Sequence, residues 1–73
     1  METATDTLLS GIRVELARRK MTQDDLARGL GVNQHWVSRR MTGRTEWTIS
    51  EVESVSEFLG VPFLHLFGHP VTP

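Results

Sequence analysis

Two short helical segments separated by a glycine constrain this chain more than any other feature. Thr22 is a good helix N-cap, and Asp24 and Asp25 follow it in the first turn, where the helix dipole favours negative charge. Gly31 can adopt the left-handed conformation that ends a helix in a tight turn. Asn33 is a second N-cap, so another helix begins at once. The sequence therefore predicts two helices joined by a turn of only a few residues.

Apolar residues at helical spacing predict further helices on both sides of this pair. Before it, apolar residues recur about every four positions and mark an amphipathic helix over residues 7–20. After it, Thr48 and Glu51 form a capping-box pattern that opens a fourth helix, which Gly60 ends. Pro62 suits the first turn of a fifth, short helix. The apolar faces of the five helices are Leu8 or Leu9, Ile12, Leu16 and Met21; Leu26, Ala27 and Leu30; Val37 and Met41; Ile49, Val52, Val55, Phe58 and Leu59; and Phe63, Leu66 and Phe67.

The length of the chain allows one domain, because it has only 73 residues. It contains no cysteine, so neither a disulfide nor a thiolate metal site can support the core, which fits a reducing compartment. A chain this short buries only about 60% of the surface that it exposes when unfolded, so helix packing has to supply the stability. We expect an all-α fold, a compact five-helix bundle, with a flexible N-terminus at residues 1–6, one domain at residues 7–68 and a short tail at residues 69–73.

Basic residues are concentrated in the middle of the chain, although the net charge is −1. Residues 11–45 carry all eight Arg and Lys against three acids, whereas residues 1–10 carry two acids and residues 46–73 carry four Glu. Such a concentration is typical of a polyanion-binding surface, and one helix with a solvated basic face would give the same pattern. Charge alone therefore leaves nucleic acid open as a partner without deciding for it.

The two central helices match the register of a DNA-binding helix-turn-helix motif. When Gln23 is counted as the first residue of the motif, Ala27 lies where the two helices cross closely and Gly31 lies in the turn. A small side chain permits the close approach of the helices, and glycine permits the turn. The buried positions, which fix the angle between the helices, hold Leu26, Leu30, Val32 and Val37.

Four short stretches carry a wider resemblance: T-Q-D-D-L-A at 22–27, G-V at 31–32, W-V-S-R-R-M-T-G at 36–43 and L-G-V-P at 59–62. They make the chain similar to the lambda repressor and Cro family, also called the XRE family, and the W-V-S-R-R version resembles those of actinobacteria and their phages. The resemblance implies a five-helix bundle that binds operator DNA as a dimer and represses or, less often, activates transcription.

Two positions depart from the family pattern. Arg40 stands at a position that is usually apolar, so either its aliphatic stem packs while its head reaches a phosphate, or the third helix is rotated slightly. Leu16 and Met41 stand where many relatives have an Arg and a Glu that pair across the core. Because both partners are apolar here, no buried charge is left unpaired, and we expect the fold to hold.

The resemblance implies that the third helix lies in the major groove with its N-terminal residues toward the base edges. Gln34, His35, Ser38 and Arg39 are then the residues expected to read bases. Gln34 can be bidentate to adenine, and Arg39 can be bidentate to guanine O6 and N7. His35 can donate to or accept from either purine, depending on its tautomer.

A second set of residues is expected to contact the DNA backbone, which sets register but carries no sequence information. Gln23 matches the family position whose side chain and backbone N–H meet a phosphate. Trp36 lies about 100° from Val37 around the third helix, so it either packs against the sugar-phosphate backbone or a thymine methyl, or covers the edge of the core. The other members of this set are Asn33, Arg40, Thr42 and Arg44.

Several other side chains have plainer structural interpretations. The basic run at 18–20 is expected to be a solvated helix end that complements the negative end of the helix dipole. His65 and His69 are four residues apart, but Gly68 and Pro70 break that turn and no third ligand lies nearby, so we expect no metal site. Trp47 is expected to cover the core or to contact a dimer partner. A dimer interface is also open to part of the apolar set Phe58, Phe63, Leu66, Phe67 and Val71.

The chain has no cysteine nucleophile, Gly-rich phosphate loop or carboxylate and His cluster, so we expect neither an enzyme nor a cofactor or small-molecule substrate. Residues 1–10 form neither a signal peptide nor a membrane span, which predicts a cytoplasmic location. The prediction is a sequence-specific double-stranded DNA-binding regulator, a phage-type repressor or Cro-like protein acting as a homodimer. A protein-interaction adaptor, and an antitoxin or controller protein built on the same domain, stay open as alternatives.

Overall fold

A computed structural model describes residues 3–68, which form four α-helices, one 3₁₀ helix and no strand. The all-α prediction is therefore confirmed for these residues, and the predicted tail at 69–73, which includes His69 and Val71, lies outside them. The elements are α1 Ala4–Arg18, α2 Gln23–Leu30, α3 Gln34–Met41, α4 Ile49–Leu59 and the 3₁₀ helix Phe63–Phe67.

The predicted fifth short helix is a five-residue 3₁₀ helix, so the count of five α-helices is not confirmed. Pro62 is extended on one side and Gly68 is left-handed on the other, with φ 80°. 3₁₀ geometry is commonly used in such short pieces. Backbone bonds span three residues, from His65 N to Pro62 O at 3.0 Å and from Gly68 N to His65 O at 3.1 Å.

Helix α1 begins at Ala4, three residues before the predicted start. The cause is a capping box that the apolar pattern does not reveal. The Thr3 hydroxyl accepts from the Asp6 N–H at 3.1 Å, and the Asp6 carboxylate accepts from the Thr3 N–H at 3.2 Å. Residues 4–6 are consequently helical, although they fall within the segment predicted to be flexible.

The predicted caps of the other helices are confirmed. Thr22 opens α2 and Thr48 opens α4, each within a reciprocal capping box, while the Asn33 side chain accepts from the Trp36 N–H at 2.8 Å and opens α3. Gly31 closes α2 with φ 75°, and Gly60 closes α4 with φ 72°, so both occupy the left-handed region.

The hydrophobic core receives side chains from all five elements, as the apolar pattern predicts. Two predicted core residues of α4 are exceptions: Ile49 is 71% exposed and Phe58 is 39% exposed. Ile49 is the first residue of the helix, so it lies at the outer end of the apolar stripe. The buried apolar residues are Leu8, Leu9, Ile12, Leu16, Leu26, Ala27, Val37, Met41, Val52, Val55, Leu59 and Leu66.

Gly11 allows α1 to lie directly against the 3₁₀ helix. A Cβ atom at this position would lie closer than 3.0 Å to the carbonyl carbon and oxygen of Leu66, a separation that real Cβ atoms essentially never show. Leu66 is itself fully buried. The register of the helix-turn-helix predicts a close helix crossing at Ala27, but no pattern in the sequence indicates this second close approach.

Arg13 of α1 and Arg19, the C-cap residue that follows α1, cross-link the ends of other helices. The guanidinium of Arg13 donates to the carbonyl oxygen of Met41 at 2.8 Å, and that of Arg19 donates to the carbonyl oxygen of Leu59 at 2.8 Å. These carbonyls lie at the C-terminal ends of α3 and α4, where the helix dipole favours a cation. The interpretation of the basic run 18–20 as a solvated helix end is therefore wrong for Arg19.

Glu15 is a buried acid with three polar neighbours, and it is only 4% exposed. Its carboxylate accepts a hydrogen bond from Arg19, lies 3.3 Å from an Arg18 nitrogen and lies 3.0 Å from Nε2 of His65. The hydrogen bond from Arg19 outweighs the opposing effect of burial and holds the pKa of Glu15 below its ordinary value. This cluster ties α1 to the 3₁₀ helix.

Candidate nucleic-acid interface

Helices α2 and α3 form the predicted helix-turn-helix unit. Residues 31–33 connect them, and the Val32 N–H donates to the Ala27 carbonyl at 3.0 Å, which holds the turn against the end of α2. Leu26, Ala27 and Val37 are at most 1% exposed. The register predicted for the motif is confirmed at these positions, and its other two apolar residues, Leu30 and Val32, are partly buried against the core.

The outer face of α3 presents the residues predicted to read bases. Gln34, His35 and Arg39 are exposed, and Ser38 is half-buried. Residues four apart lie on one face of a helix, so His35 and Arg39 are neighbours, as are Gln34 and Ser38. Within residues 3–68, the side chains of Gln34, His35 and Arg39 have no hydrogen-bond or ion-pair partner. Their donors and acceptors are therefore available to a second molecule.

Four residues of the predicted backbone set lie around this face: Gln23, Asn33, Thr42 and Arg44. Gln23, half-buried, is the first residue of α2, and Asn33 is the exposed N-cap of α3. Asn33 uses its side-chain oxygen as the cap, which leaves its amide N–H groups as donors. Arg44 is exposed, and its backbone N–H donates to the Arg39 carbonyl at 2.9 Å, which holds the loop against the end of α3.

Thr42 is exposed, but its hydroxyl already serves α3. It donates to the Ser38 and Arg39 carbonyls, at 3.0 and 3.2 Å. A phosphate oxygen only accepts hydrogen bonds, so the hydroxyl of Thr42 would have to leave these carbonyls before it could donate to DNA. Its geometry fits a helix-terminating role better than a phosphate contact.

Arg40 does not lie on the exposed face, which corrects its assignment to the DNA backbone set. It is only 9% exposed, and its guanidinium contacts both carboxylate oxygens of Glu51, Nε to Oε1 at 3.0 Å and Nη2 to Oε2 at 3.3 Å. Burial acts to raise the pKa of Glu51, but the hydrogen bonds from Arg40 and from the Thr48 N–H outweigh it and leave that pKa below its ordinary value.

Trp36 packs against the edge of the core rather than standing free on α3. It is half-buried, and the guanidinium carbon of Arg40 lies 3.6 Å from the centroid of its ring. Its ring also meets that of Trp47 edge to face, with centroids 5.7 Å apart. These contacts favour the core-covering interpretation of both indoles. Nε1 of Trp47 is buried and has no hydrogen-bond partner within residues 3–68.

Most of the basic residues already have a partner within the protein, so the charge concentration in the sequence overstates the number of unpaired cations. Arg28, for example, pairs with Asp25 and lies 3.4 Å from Asp24. In the part of the chain from 3 to 68, Lys20, Arg39 and Arg44 make no ion pair. The basic residues with internal partners are Arg13, Arg18, Arg19, Arg28 and Arg40.

The described residues also bear on metal binding and on membrane insertion. Residues 3–68 contain no group of three His, Cys, Asp or Glu side chains that could hold a metal ion, and His65 is bound to Glu15. No helix among these residues has both the length and the apolar character needed to cross a membrane.

The fold and the exposed face of α3 define a small helical domain built around a helix-turn-helix unit. A family model described as a helix-turn-helix domain matches residues 11–65, well over half of the chain, and the chain belongs to this family. No curated protein and no solved structure matches the chain. The helix-turn-helix is a DNA-binding unit, so membership of this family indicates DNA binding.

Proposed function

We propose that this protein is a sequence-specific transcriptional regulator, a phage-type repressor or Cro-like protein that binds double-stranded operator DNA through α3. The observation that carries the proposal is the exposed face of α3, where Gln34, His35 and Arg39 have no partner within residues 3–68. An amide and a guanidinium are the groups that make bidentate contacts to adenine and guanine in the major groove. The resemblance to the lambda repressor and Cro family, or XRE family, supports the finer assignment.

Phosphate contacts are proposed for residues that flank this face. Gln23 and Asn33 lie at the N-termini of α2 and α3, where backbone N–H groups and the helix dipole favour an anion. Arg44 adds an unpaired cation in the loop after α3. Arg40 is left out of the proposed contacts because its guanidinium is already occupied by Glu51.

We propose that the regulator acts as a homodimer on DNA. Helix α3 has eight residues, and only those near its N-terminus approach base edges in this docking mode, so one copy reads few base pairs. Two copies related by a two-fold axis double the sequence that is read, and operator half-sites then mirror that symmetry. The activity needs neither a cofactor nor a small-molecule substrate.

Selection of bound sites from a random duplex pool tests this function. We expect enrichment of a site with two related half-sites whose centres lie about one helical turn apart, roughly 10 base pairs. We also expect retention of random duplex at low salt that weakens as salt rises, because phosphate contacts release counterions. Failure to retain any duplex at low salt would contradict the proposal and favour a protein-interaction adaptor.

Arg44→Ala is expected to weaken binding by a similar factor on every duplex, because a phosphate contact carries no sequence information. The slope of log affinity against log salt should become shallower by roughly 1 unit, since one phosphate is no longer neutralised. Titrations at several salt concentrations measure this slope. Arg18→Ala is the control, since it removes the same charge from a 67% exposed side chain on α1. An equal slope for wild type and Arg44→Ala would exclude Arg44 from the interface.

A further inference from the structure

The recognition helix is connected to α4 by a compact group of side chains, which we call the α3–α4 clamp: Trp36, Arg40, Trp47 and Glu51. The backbone of α3 packs closely on α2 and far less closely on α4. The clamp therefore adds a side-chain connection from α3 to α4, beside the bond from Arg13 of α1 to the Met41 carbonyl at the end of α3. The clamp can hold α3 without touching DNA. Arg40 is buried, and Glu51 carries the same sign of charge as a phosphate.

Geometry makes the clamp stiff. Arg40 meets Glu51 with two nitrogens on two oxygens, and its guanidinium also lies over the Trp36 ring. Two parallel hydrogen bonds fix the orientation of the planar Arg40 guanidinium, which a single charge contact would not do. Glu51 is fixed in turn, because its Oε1 also accepts from the Thr48 N–H at 3.0 Å in the first turn of α4. Contacts thus run without a break from the start of α4 to the body of α3.

The clamp residues of α3 stand next in the chain to residues proposed to read bases. Arg40 follows Arg39 in the chain, and Trp36 follows His35, so each clamp residue of α3 is adjacent to a proposed reader. Base readout depends on hydrogen bonds that tolerate only small displacements, so the supporting residues behind a site set its accuracy. A small rotation of α3 would displace all the side chains proposed to read bases together.

We propose that Arg40 is a positioning residue for base recognition, which, held by Glu51 and Trp36, sets the orientation of α3 and so raises sequence discrimination without touching DNA. The inference rests on the proposed function. The positioning role of Arg40 can be separated from a role in stability. Replacing both members of a buried ion pair by residues of similar volume is often neutral or stabilising. Removal of the clamp should therefore lower discrimination while the protein stays folded.

The test uses the double variant Arg40→Met/Glu51→Gln, which removes both charges and leaves the net charge unchanged. Gln also preserves the capping box, since either Glu or Gln serves at that position. The probes are a duplex enriched by the wild-type protein and a scrambled duplex of equal length and composition. Affinities for both, together with thermal unfolding and near-ultraviolet circular dichroism, are measured for each protein.

We expect the double variant to bind the scrambled duplex as tightly as wild type does, while its preference for the enriched duplex falls about tenfold, the effect of removing one good base interaction. Site selection with the variant should show the weaker preference spread over all positions of the half-site. A folded variant with the wild-type preference would overturn the inference, as would a change confined to one base position, which would indicate direct contact.

Arg40→Lys keeps the proposal testable if the double variant does not fold. Lysine retains the charge but not the planar fork, so we expect a folded protein whose preference is weakened in the same distributed way. Unchanged preference in Arg40→Lys would again overturn the inference. If the wild-type protein retains no duplex at all, the proposed function fails, and the inference that rests on it fails too. If the wild-type protein prefers the enriched duplex over the scrambled one and the variants do so equally, only the inference fails.

Discussion

Gly11→Ala is expected to lower the free energy of unfolding by about 3 kcal/mol, as overpacking of a well-packed core does. The new methyl group would collide with the carbonyl of Leu66, which is a backbone group and cannot rotate away. Because Leu66 is fully buried, the 3₁₀ helix can retreat only by opening the core. In a domain of this size such a decrease is a large part of the total stability.

Gly29→Ala is the matched control for this prediction, since both glycines lie within helices. The three atoms nearest to its new methyl group all belong to the ring of Phe58, a 39% exposed side chain that can turn outward. Alanine also gains up to about 1 kcal/mol of helix propensity over glycine. Urea unfolding should place Gly29→Ala within about 1 kcal/mol of wild type. The packing account is wrong if Gly11→Ala is the milder of the two changes.

Glu15→Ala is expected to cost about 1.5–3 kcal/mol at neutral pH, the range for hydrogen bonds to a charged group. The substitution removes the acceptor for Arg19 and Arg18 and the contact to His65. Arg19 also holds the carbonyl of Leu59, so the change should loosen the attachment of α1 to the end of α4. Urea unfolding at pH 7 measures the cost.

The pH dependence of stability provides an independent readout of the same cluster. The folded pKa of Glu15 is lowered, as are those of Asp25 and Glu51. A lowered folded pKa means that the group contributes stability above its unfolded pKa and loses it as the pH falls through the folded pKa. Wild-type stability should therefore decline below the ordinary carboxyl value, 4.5 for Glu15.

Glu15→Gln is the matched control, because it keeps the shape of the side chain without the charge. Its stability should fall less steeply on acidification, since one of the titrating groups is gone. Unfolding curves for wild type and Glu15→Gln between pH 7 and the acid range make the comparison. Parallel curves would show that the Glu15 cluster does not contribute to acid sensitivity.

Local features of the fold were predictable from the sequence because they depend on neighbours in the chain. Thr22, Asn33 and Thr48 open helices by bonding N–H groups three residues further on, so their effect is visible in a short window. Gly31 ends α2 through its own left-handed backbone conformation. The same locality allowed the proposed readers on α3 to be identified from their position in the motif.

Long-range pairings were not predictable, because periodicity shows which face of a helix is buried but not which partner it meets. The pairing of Arg40 with Glu51, eleven positions apart, crosses a loop and links two helices. The bond from Arg13 to the Met41 carbonyl and the contact of Gly11 with Leu66 span still longer separations. For this reason the number of basic residues is known from the sequence, but which of them remain unpaired at the surface is not.

Arg39→Ala tests most directly whether the exposed face of α3 reads bases, as proposed. Sites selected from a random duplex pool by wild type and by the variant give the preference at each base position. We expect the variant to lose a guanine preference at one position of each half-site, with a cost of about 1–3 kcal/mol on the enriched duplex. A decrease in affinity that is equal on every sequence, with each base preference intact, would contradict the claim.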